Sequence, residues 1–181
     1  MGDLDILLTK LNVWLVGQKL DLELVIIGAY ALQLHGISSH ITMDIDALSI
    51  LPPKILIEIA NIGEEFGLPE WLNNQAAGMI LPEGFYQRTL TLDKFSNIKL
   101  NYASRIDLIK LKVAAYYYRH ETEQKDLDDL RALSITQEEF EQGRAFLSES
   151  HKPEQEKFVE NFEEDVLVVT TKLHSQLFGA T

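Results

Sequence analysis

The hydrophobic and polar positions of the chain predict a small sheet with helices packed on it. Apolar residues recur at near-helical spacing early in the chain. Later segments are apolar throughout, or have apolar and polar residues in alternation, and both patterns are typical of strands. The first part of the pattern therefore predicts a helix over 5–19, a buried strand over 24–27, a helix over 30–35 that ends at Gly36, and a strand over 42–50.

The rest of the pattern predicts more helix than strand. Pro52 and Pro53 stop the second strand and start an amphipathic helix, since proline is tolerated in a first helical turn. After them we expect a helix over 53–66, a turn or short helix over 69–72, a loop over 73–84, paired strands over 87–92 and 97–102, and a helix over 105–118. From Asp126 the chain is predicted to be helical, with a capping box that starts at Thr136. The segment 152–177 is either a helix or a strand.

The composition narrows the class of protein. The 181 residues include 28 acidic and 16 basic side chains, which gives a formal charge of −12, and no cysteine. The lack of cysteine excludes a disulfide framework and a thiolate metal site, and no apolar run reaches the roughly 18–20 residues that span a bilayer. We therefore expect a cytoplasmic protein with no membrane partner. Because an acidic chain repels nucleic-acid phosphates, a protein partner with a basic face is favoured over an RNA end.

A pair of acids carries the main chemical signal. Asp44 and Asp46 stand two residues apart on the predicted second strand, so both side chains should project from one face. Neighbouring carboxylates repel each other unless a cation lies between them. Mg²⁺ is the usual cation, since it binds carboxylate oxygens together with substrate phosphates. The alternative is an ordinary pair of surface acids at the end of a strand.

Four motifs in order give the chain a resemblance to the nucleotidyltransferase superfamily, which has the fold of DNA polymerase beta. Gly28 and Ala29 open a helix after the first strand, and Asp44-Ile45-Asp46 follows on the next. The other motifs are Trp71-Leu72-Asn73-Asn74, a helix with Asp107 and Lys112, and a later segment with Arg119, Asp126 and Asp129. The resemblance covers about residues 20–133 and is closest to the AbiEii-like and DUF6036 branch of toxin–antitoxin and abortive-infection proteins.

The resemblance implies a fold and a reaction. The fold would be α/β (α+β), with a nucleotidyltransferase-like small mixed β-sheet flanked by helices and a helical C-terminal part. The nucleotidyltransferase-like domain would span 1–133, and a helical extension over 134–181 would pack on it. The reaction would be Mg²⁺-dependent transfer of a nucleoside monophosphate from an NTP to a protein or RNA acceptor. Asp44 and Asp46 would be catalytic and hold the metal, and the contacts to the nucleotide would come from Gly28, Ala29, His40, Thr42 and Lys112.

The chain departs from this family pattern near the expected site. Ala29 stands where relatives have Gly or Ser, and His40 stands where they have Arg. Histidine is only partly charged at neutral pH, so attraction for phosphate is weaker there. The strand over 97–102, which should carry a third carboxylate, has none; Asn101 is the nearest polar substitute, and Asp93 is the other candidate. These departures favour the alternative of a catalytically degenerate binding or regulatory module.

Other motif residues also have a structural interpretation. Lys112 is either a cation that binds phosphate or a lysine whose stem packs along its own helix. Asp126 and Asp129 lie one helical turn apart and are expected to tie the last helices to the core. Their predicted partners are Arg119 or Lys125.

Overall fold

The computed structural model of the protein describes residues 3–37, 41–151, 153 and 156–179, with the backbone alone for 156–160. Its elements follow one another as α1 (Asp3–Gln18), β1 (Leu22–Ile27), α2 (Gly28–Leu34), β2 (Ile45–Ala47), α3 (Pro53–Glu64), β3 (Leu72–Asn73), α4 (Phe85–Arg88), β4 (Leu90–Leu92), β5 (Ile98–Tyr102), α5 (Arg105–Arg119), α6 (Lys125–Ala132), α7 (Gln137–Ser150) and α8 (Glu156–Phe178). A short 3₁₀ helix, Gln75–Gly78, follows β3. This is the predicted α/β fold with a helical C-terminal part. No described helix is long and apolar enough to cross a membrane.

The five strands form one mixed sheet in the order β3-β2-β1-β5-β4. β1 lies at the centre, antiparallel to β2 and parallel to β5. β3 continues the sheet parallel to β2, and β4 pairs antiparallel with β5, so the predicted pairing of the two later strands is confirmed. The first of them is shorter than the predicted 87–92, because residues 87–88 belong to α4. Ile27 is in register with Asp46, and Asp46 is in register with Asn73. These three side chains therefore form a row on one face of the sheet.

The opposite face of the sheet belongs to the core of the first compact unit, which comprises residues 1–36, 40–79 and 86–104. On this face of the sheet, the side chains that are fully buried include Leu24, Ile26, Ile45, Ala47 and Leu100. α1 confirms the helix predicted over 5–19 and buries leucines at helical spacing: Leu7, Leu8, Leu11 and Leu15. α3 lies beside α1, where Lys54 Nζ donates a hydrogen bond to Gln18 Oε1 at 2.7 Å and lies over the Trp14 ring.

Two predicted segments near the acid pair differ from the structure. The strand predicted over 42–50 is only Ile45–Ala47, so Asp44 precedes it and is exposed. The turn or short helix predicted over 69–72 and the loop after it contain a strand, β3, which pairs with β2. Alternation of polar and apolar residues indicates the two faces of a strand, but it does not predict how long the neighbouring strand is. β3 offers only two residues for pairing, and this limits β2 on that side.

The second compact unit consists mainly of the helices that follow residue 104. α5 and α7 approach each other closely at Gly143, where an added Cβ would lie 2.7 Å from Val113 Cγ2. α7 begins with the predicted capping box: Thr136 Oγ1 accepts from the Glu139 N–H, and the Glu139 carboxylate accepts from the Thr136 N–H. α8 is a helix, which decides between the two alternatives for 152–177 over the residues described.

Compact units and predicted domains divide the chain differently. The main division between the units falls after residue 104, whereas the predicted nucleotidyltransferase-like domain spans 1–133 and its helical extension spans 134–181. A compact unit reflects packing, and a domain is a part that folds independently. The predicted domain boundary therefore stays a prediction.

We predict that Gly143→Ala lowers the free energy of unfolding by about 1–3 kcal/mol, because the new methyl group would overpack the contact with Val113. Truncation of Val113 to alanine in the same chain should recover part of this loss. The matched control is Gly17→Ala in α1, where nothing lies within 4 Å of the added carbon. That substitution should maintain or raise stability, since alanine favours helix. Equal effects of the two substitutions in urea denaturation would contradict the close packing.

An ion pair between α5 and α7 gives the second unit a pH dependence. The Arg105 guanidinium donates to both oxygens of Glu139, at 2.9 and 3.1 Å. This contact, with the Thr136 N–H, holds the pKa of the Glu139 carboxyl below its usual value of 4.5. A carboxyl whose pKa is lower in the folded protein contributes full stability above its unfolded pKa. The contribution is lost as the pH falls through the folded pKa.

We predict that Glu139→Gln lowers the free energy of unfolding at pH 7, and that the difference from the wild type shrinks as the pH falls below 4.5. Glutamine keeps the capping-box geometry, so the loss isolates the ionic contact with Arg105. Urea unfolding at pH 7 and pH 3.5 measures both differences. Glu141→Gln is the control, since its carboxylate meets only Arg144 in the contacts described, three residues along the same helix. A difference for Glu139→Gln that is independent of pH would contradict the prediction.

Candidate functional site

Asp46 lies in the middle of β2, on the sheet face opposite the apolar core. Its neighbours Ile45 and Ala47 are fully buried, whereas Asp46 is half-buried. From β3, Asn73 Nδ2 donates a hydrogen bond to Asp46 Oδ1 at 3.3 Å. On the other side Asp46 is in register with Ile27, the last residue of β1. Strand pairing and the asparagine therefore hold the Asp46 carboxylate level with the last residues of β1 and β3.

Gly28 is the point where the backbone comes close to Asp46. It follows β1 directly, opens α2 and has a φ of +71°, a left-handed conformation that favours glycine. A Cβ at this position would lie 2.5 Å from Asp46 Oδ2, so any side chain would displace the carboxylate. Ile27 gives α2 no side-chain cap, and a carboxylate beside the first turn interacts favourably with the positive end of a helix. Gly28 thus makes room for Asp46, while its predicted contact with phosphate stays a prediction.

Asp44 precedes β2 and is exposed. Thr42 Oγ1 lies 2.9 Å from Asp44 Oδ1 and 3.2 Å from the Asp44 carbonyl oxygen, so the hydroxyl donates to that residue. Each acid therefore has a neutral donor at Oδ1, Thr42 for Asp44 and Asn73 for Asp46. The expectation of a common strand face applies only to Asp46, because Asp44 lies outside the strand. That the two acids share one metal stays a prediction.

Polar side chains continue on this face of the sheet toward the start of β1. Asn101 Nδ2 donates to Glu23 Oε1 at 3.0 Å, and Asn101 Oδ1 accepts from Thr91 Oγ1 at 2.8 Å. Lys99 Nζ donates to the same Glu23 oxygen at 2.7 Å and holds the pKa of Glu23 below its usual value. Both ends of the buried Asn101 amide are thus engaged by neighbouring strands. Asn101 thus belongs to a hydrogen-bond network with Glu23, Thr91 and Lys99 on this face of the sheet.

The register also locates the two sequence candidates for a third acidic position. If the pairing of β1 with β5 is continued by one residue, Ala103 comes level with Ile27, which pairs with Asp46. Asn101 lies two residues earlier in β5. Asp93 follows β4, which runs antiparallel to β5, and so lies toward the opposite end of the strands from Ile27. The residue that follows β5 at the level of Asp46 is therefore Ala103, which has no carboxylate.

Lys112 lies in a buried ion cluster of the second compact unit. Its Nζ is 3.1 Å from Asp126 Oδ1 and 2.5 Å from Asp129 Oδ2, and both acids are fully buried. Arg119 donates to both oxygens of Asp126, at 3.0 and 3.1 Å, which confirms the predicted pairing of these two residues. Two carboxylates thus already contact the Lys112 ammonium group. Its predicted contact with a nucleotide phosphate stays a prediction.

Two further residues were predicted to contact the nucleotide. His40 lies outside the described residues. Ala29 lies in the first turn of α2, directly after Gly28, and is half-buried. Its backbone is therefore at the end of the helix that the prediction requires, and a contact with phosphate stays a prediction.

The contact of Asn73 with Asp46 was not predicted from the sequence. A motif with two asparagines marked the position, but the contact with Asp46 depends on β3, which was predicted as a turn and a loop. The bulky apolar pair Trp71 and Leu72, both buried, was the available signal for a short strand. A two-residue strand is too short to show alternation, so only its partner in the sheet reveals it.

Comparison with known proteins bears directly on this site. The sequence profile of the DUF6036 family, described as a nucleotidyltransferase of unknown function, matches residues 3–165. The chain belongs to this family. The predicted resemblance to the DUF6036 group is confirmed, and the general nucleotidyltransferase interpretation is supported, while the AbiEii-like assignment stays a prediction. No curated protein and no solved structure matches the chain.

The donor set of this DUF6036 protein suits Mg²⁺ that arrives with substrate phosphates. Mg²⁺ is usually bound by one or two carboxylates and completes its six ligands with water and phosphate oxygens. Asp44 and Asp46 supply two carboxylates, each with one oxygen held by a neutral donor. Over the residues that the structure describes, no group of three or more His, Cys, Asp or Glu side chains could hold a metal. The two acids fit a shared metal–nucleotide site better than a closed structural site.

We predict that Gly28→Ala destabilises this DUF6036 protein more than Gly36→Ala does. Both glycines have a similar positive φ, +71° and +75°, so each substitution has a conformational cost of about 1–2 kcal/mol. Only at Gly28 would the new Cβ meet Asp46, since nothing lies within 4 Å of the corresponding atom at Gly36. Asp46→Ala added to Gly28→Ala should recover the excess loss. Equal losses at the two glycines in thermal unfolding would show that Asp46 does not occupy this space.

Proposed function

We propose that this DUF6036 protein is a Mg²⁺-dependent nucleotidyltransferase that transfers a nucleoside monophosphate from an NTP to an acceptor hydroxyl. The acceptor oxygen forms a bond to the α-phosphorus, the bond from that phosphorus to the bridging oxygen breaks, and pyrophosphate leaves. The proton of the hydroxyl passes to solvent. The observation that carries this proposal is the placement of Asp46, held between Gly28 and Asn73 and preceded by Asp44.

Each residue of the site has a role in this proposal. Asp44 and Asp46 hold the metal, which neutralises the charge of the triphosphate when it is bound. A carboxylate that is already oriented needs little reorganisation when a ligand arrives, and the contacts of Asp46 provide that orientation. Gly28 and Ala29 present backbone N–H groups at the start of α2, which attract phosphate. The remaining proposed contacts to the nucleotide come from His40 and Thr42.

The charge of the chain supports a protein acceptor. At a formal charge of −12, approach to an RNA 3′ end is opposed by repulsion, whereas a protein with a basic face is attracted. The resemblance to toxin–antitoxin and abortive-infection proteins supports a role of that type in the cytoplasm. In such a role the partner with the basic face is either the acceptor or a regulator of the transferase.

A catalytically degenerate binding or regulatory module is the second candidate function. The observation that favours it concerns β5, where the family resemblance leads one to expect a third carboxylate. Asn101 stands there instead, with both ends of its amide engaged by Glu23 and Thr91. A module of this kind would bind nucleotide and metal at Asp44 and Asp46 and transfer nothing.

We predict that the double substitution Asp44→Asn and Asp46→Asn abolishes Mg²⁺-dependent nucleotide binding. The asparagines keep the shape of the side chains and remove the charge that the metal requires. Stability should stay the same or rise, because the repulsion between like charges is removed. Calorimetric titration of each of the four NTPs with Mg²⁺ measures binding, and urea denaturation measures stability.

The matched control removes two other acids of the same unit, with Glu64→Gln and Glu70→Gln, both exposed side chains. This variant has the same net charge as the test variant and should bind like the wild type. Binding by the wild type and the control alone would support the site, and a labelled NTP would then test for transfer to protein or RNA. Binding without transfer would favour the degenerate module. An equal lack of binding in all three proteins would overturn the proposal.

A further inference from the structure

We propose that Asn73 is a positioning residue for the metal site: its amide fixes the Asp46 carboxylate in the orientation that binds the metal–nucleotide complex. This inference rests on the proposed function, because it concerns how one metal ligand is held. Asn73 Nδ2 donates to Asp46 Oδ1 at 3.3 Å from the adjacent strand. Hydrogen bonds to the outer side of a ligand set its orientation, and their removal typically costs metal affinity.

The Asn73 amide is itself held in place from both ends. Its Oδ1 accepts a hydrogen bond from the Gln75 N–H at 3.1 Å, and its Nδ2 faces Asp46. The bond to Gln75 belongs to the local turn that leads from β3 into the 3₁₀ helix. Because the carbonyl oxygen is used in this turn, the NH₂ group is directed toward β2. An amide with one end fixed in this way has a single orientation to offer Asp46.

The two oxygens of Asp46 therefore have different surroundings. Oδ1 takes the hydrogen bond from Asn73, and Oδ2 lies in the space above Gly28, where a Cβ would come within 2.5 Å. Rotation of the carboxylate would break the first contact and move an oxygen out of the second. The side chain is thus positioned by contacts with two neighbouring segments, β3 and the start of α2.

The fold of β3 does not depend on this amide. Trp71 is 1 % exposed, and its Nε1 donates to the Ile59 carbonyl at 2.8 Å. The Trp71 carbonyl in turn accepts from the Ile45 N–H at 2.7 Å, and Leu72 is buried. These neighbours anchor the strand through apolar burial and backbone bonds. Asn73 itself is only half-buried, so the strand does not rely on burial of its side chain.

The test uses Mn²⁺ as the probe, with free Mn²⁺ followed by electron paramagnetic resonance in the presence of each NTP. Asn73→Ala should weaken binding roughly 10-fold or more, within the range of 10–100-fold that outer hydrogen bonds typically contribute. The fold should remain intact in circular dichroism. Asn74→Ala is the matched control: it has the same chemistry one residue later, and its side chain gives the 3₁₀ helix no cap. That variant should bind like the wild type.

A second variant separates positioning from a merely structural role. Asn73→Asp retains the acceptor for the Gln75 N–H and places a third carboxylate beside Asp46. We expect it to lose thermal stability without metal, through repulsion, and to regain that stability and bind Mn²⁺ more tightly than the wild type when the cation is added. Asn74→Asp adds the same charge outside the row and should show a much smaller gain.

The outcomes distinguish this inference from the proposed function. If the wild type binds Mn²⁺ with NTP and Asp46→Asn does not, but Asn73→Ala binds as tightly as the wild type, the inference is overturned and the proposed function stands. If the wild type does not bind, both are overturned. If Asn73→Ala proves too unstable to measure, the comparison of Asn73→Asp with Asn74→Asp decides. Equal Mn²⁺ affinities of those two variants would overturn the role of Asn73.

Discussion

The pairing of Ile27 with Asp46 is the constraint on which the site depends. It brings the end of β1 and the middle of β2 to the same level, so that Gly28, the next residue, lies beside the Asp46 carboxylate. A residue with a side chain would collide there, and a shift of the pairing would carry the acid away from the start of α2. This register thus fixes the position of the acid and requires the glycine, while the separate pairing of β2 with β3 places Asn73 beside the acid.

The charges of the second unit follow a different logic from those of the site. Lys112, Asp126 and Asp129 are buried together, and Arg119 pairs with Asp126 at the edge of this group. Removal of charges from water costs more than their attraction returns unless each is well paired, so every member depends on the others. These contacts join α5 to α6. The acids of the site are instead more accessible, since Asp44 is exposed and Asp46 is half-buried.

How far the sequence predicted the structure depends on the range of the interactions concerned. The capping box at Thr136 and the helical spacing of apolar residues in α1 are local, and both elements were predicted correctly. The pair of acids was recognised from a motif, but Asp44 turned out to precede its strand. Asn73 and the partners of Lys112 were missed, because each contact joins two separate elements of the fold. Periodicity reports which face of an element is buried, not which element lies opposite.

The short β2 strand shows how an apolar pattern can direct a functional side chain. Ile45 and Ala47 are fully buried on either side of Asp46, so alternation turns the acid toward the other face. A slip by one residue would expose the isoleucine, at a cost of roughly 1.5–3 kcal/mol, and would bury an unpaired carboxylate, which costs more. Three residues therefore suffice to fix the direction of the acid. The apolar neighbours, and no feature of Asp46 itself, determine that its carboxylate meets Gly28 and Asn73.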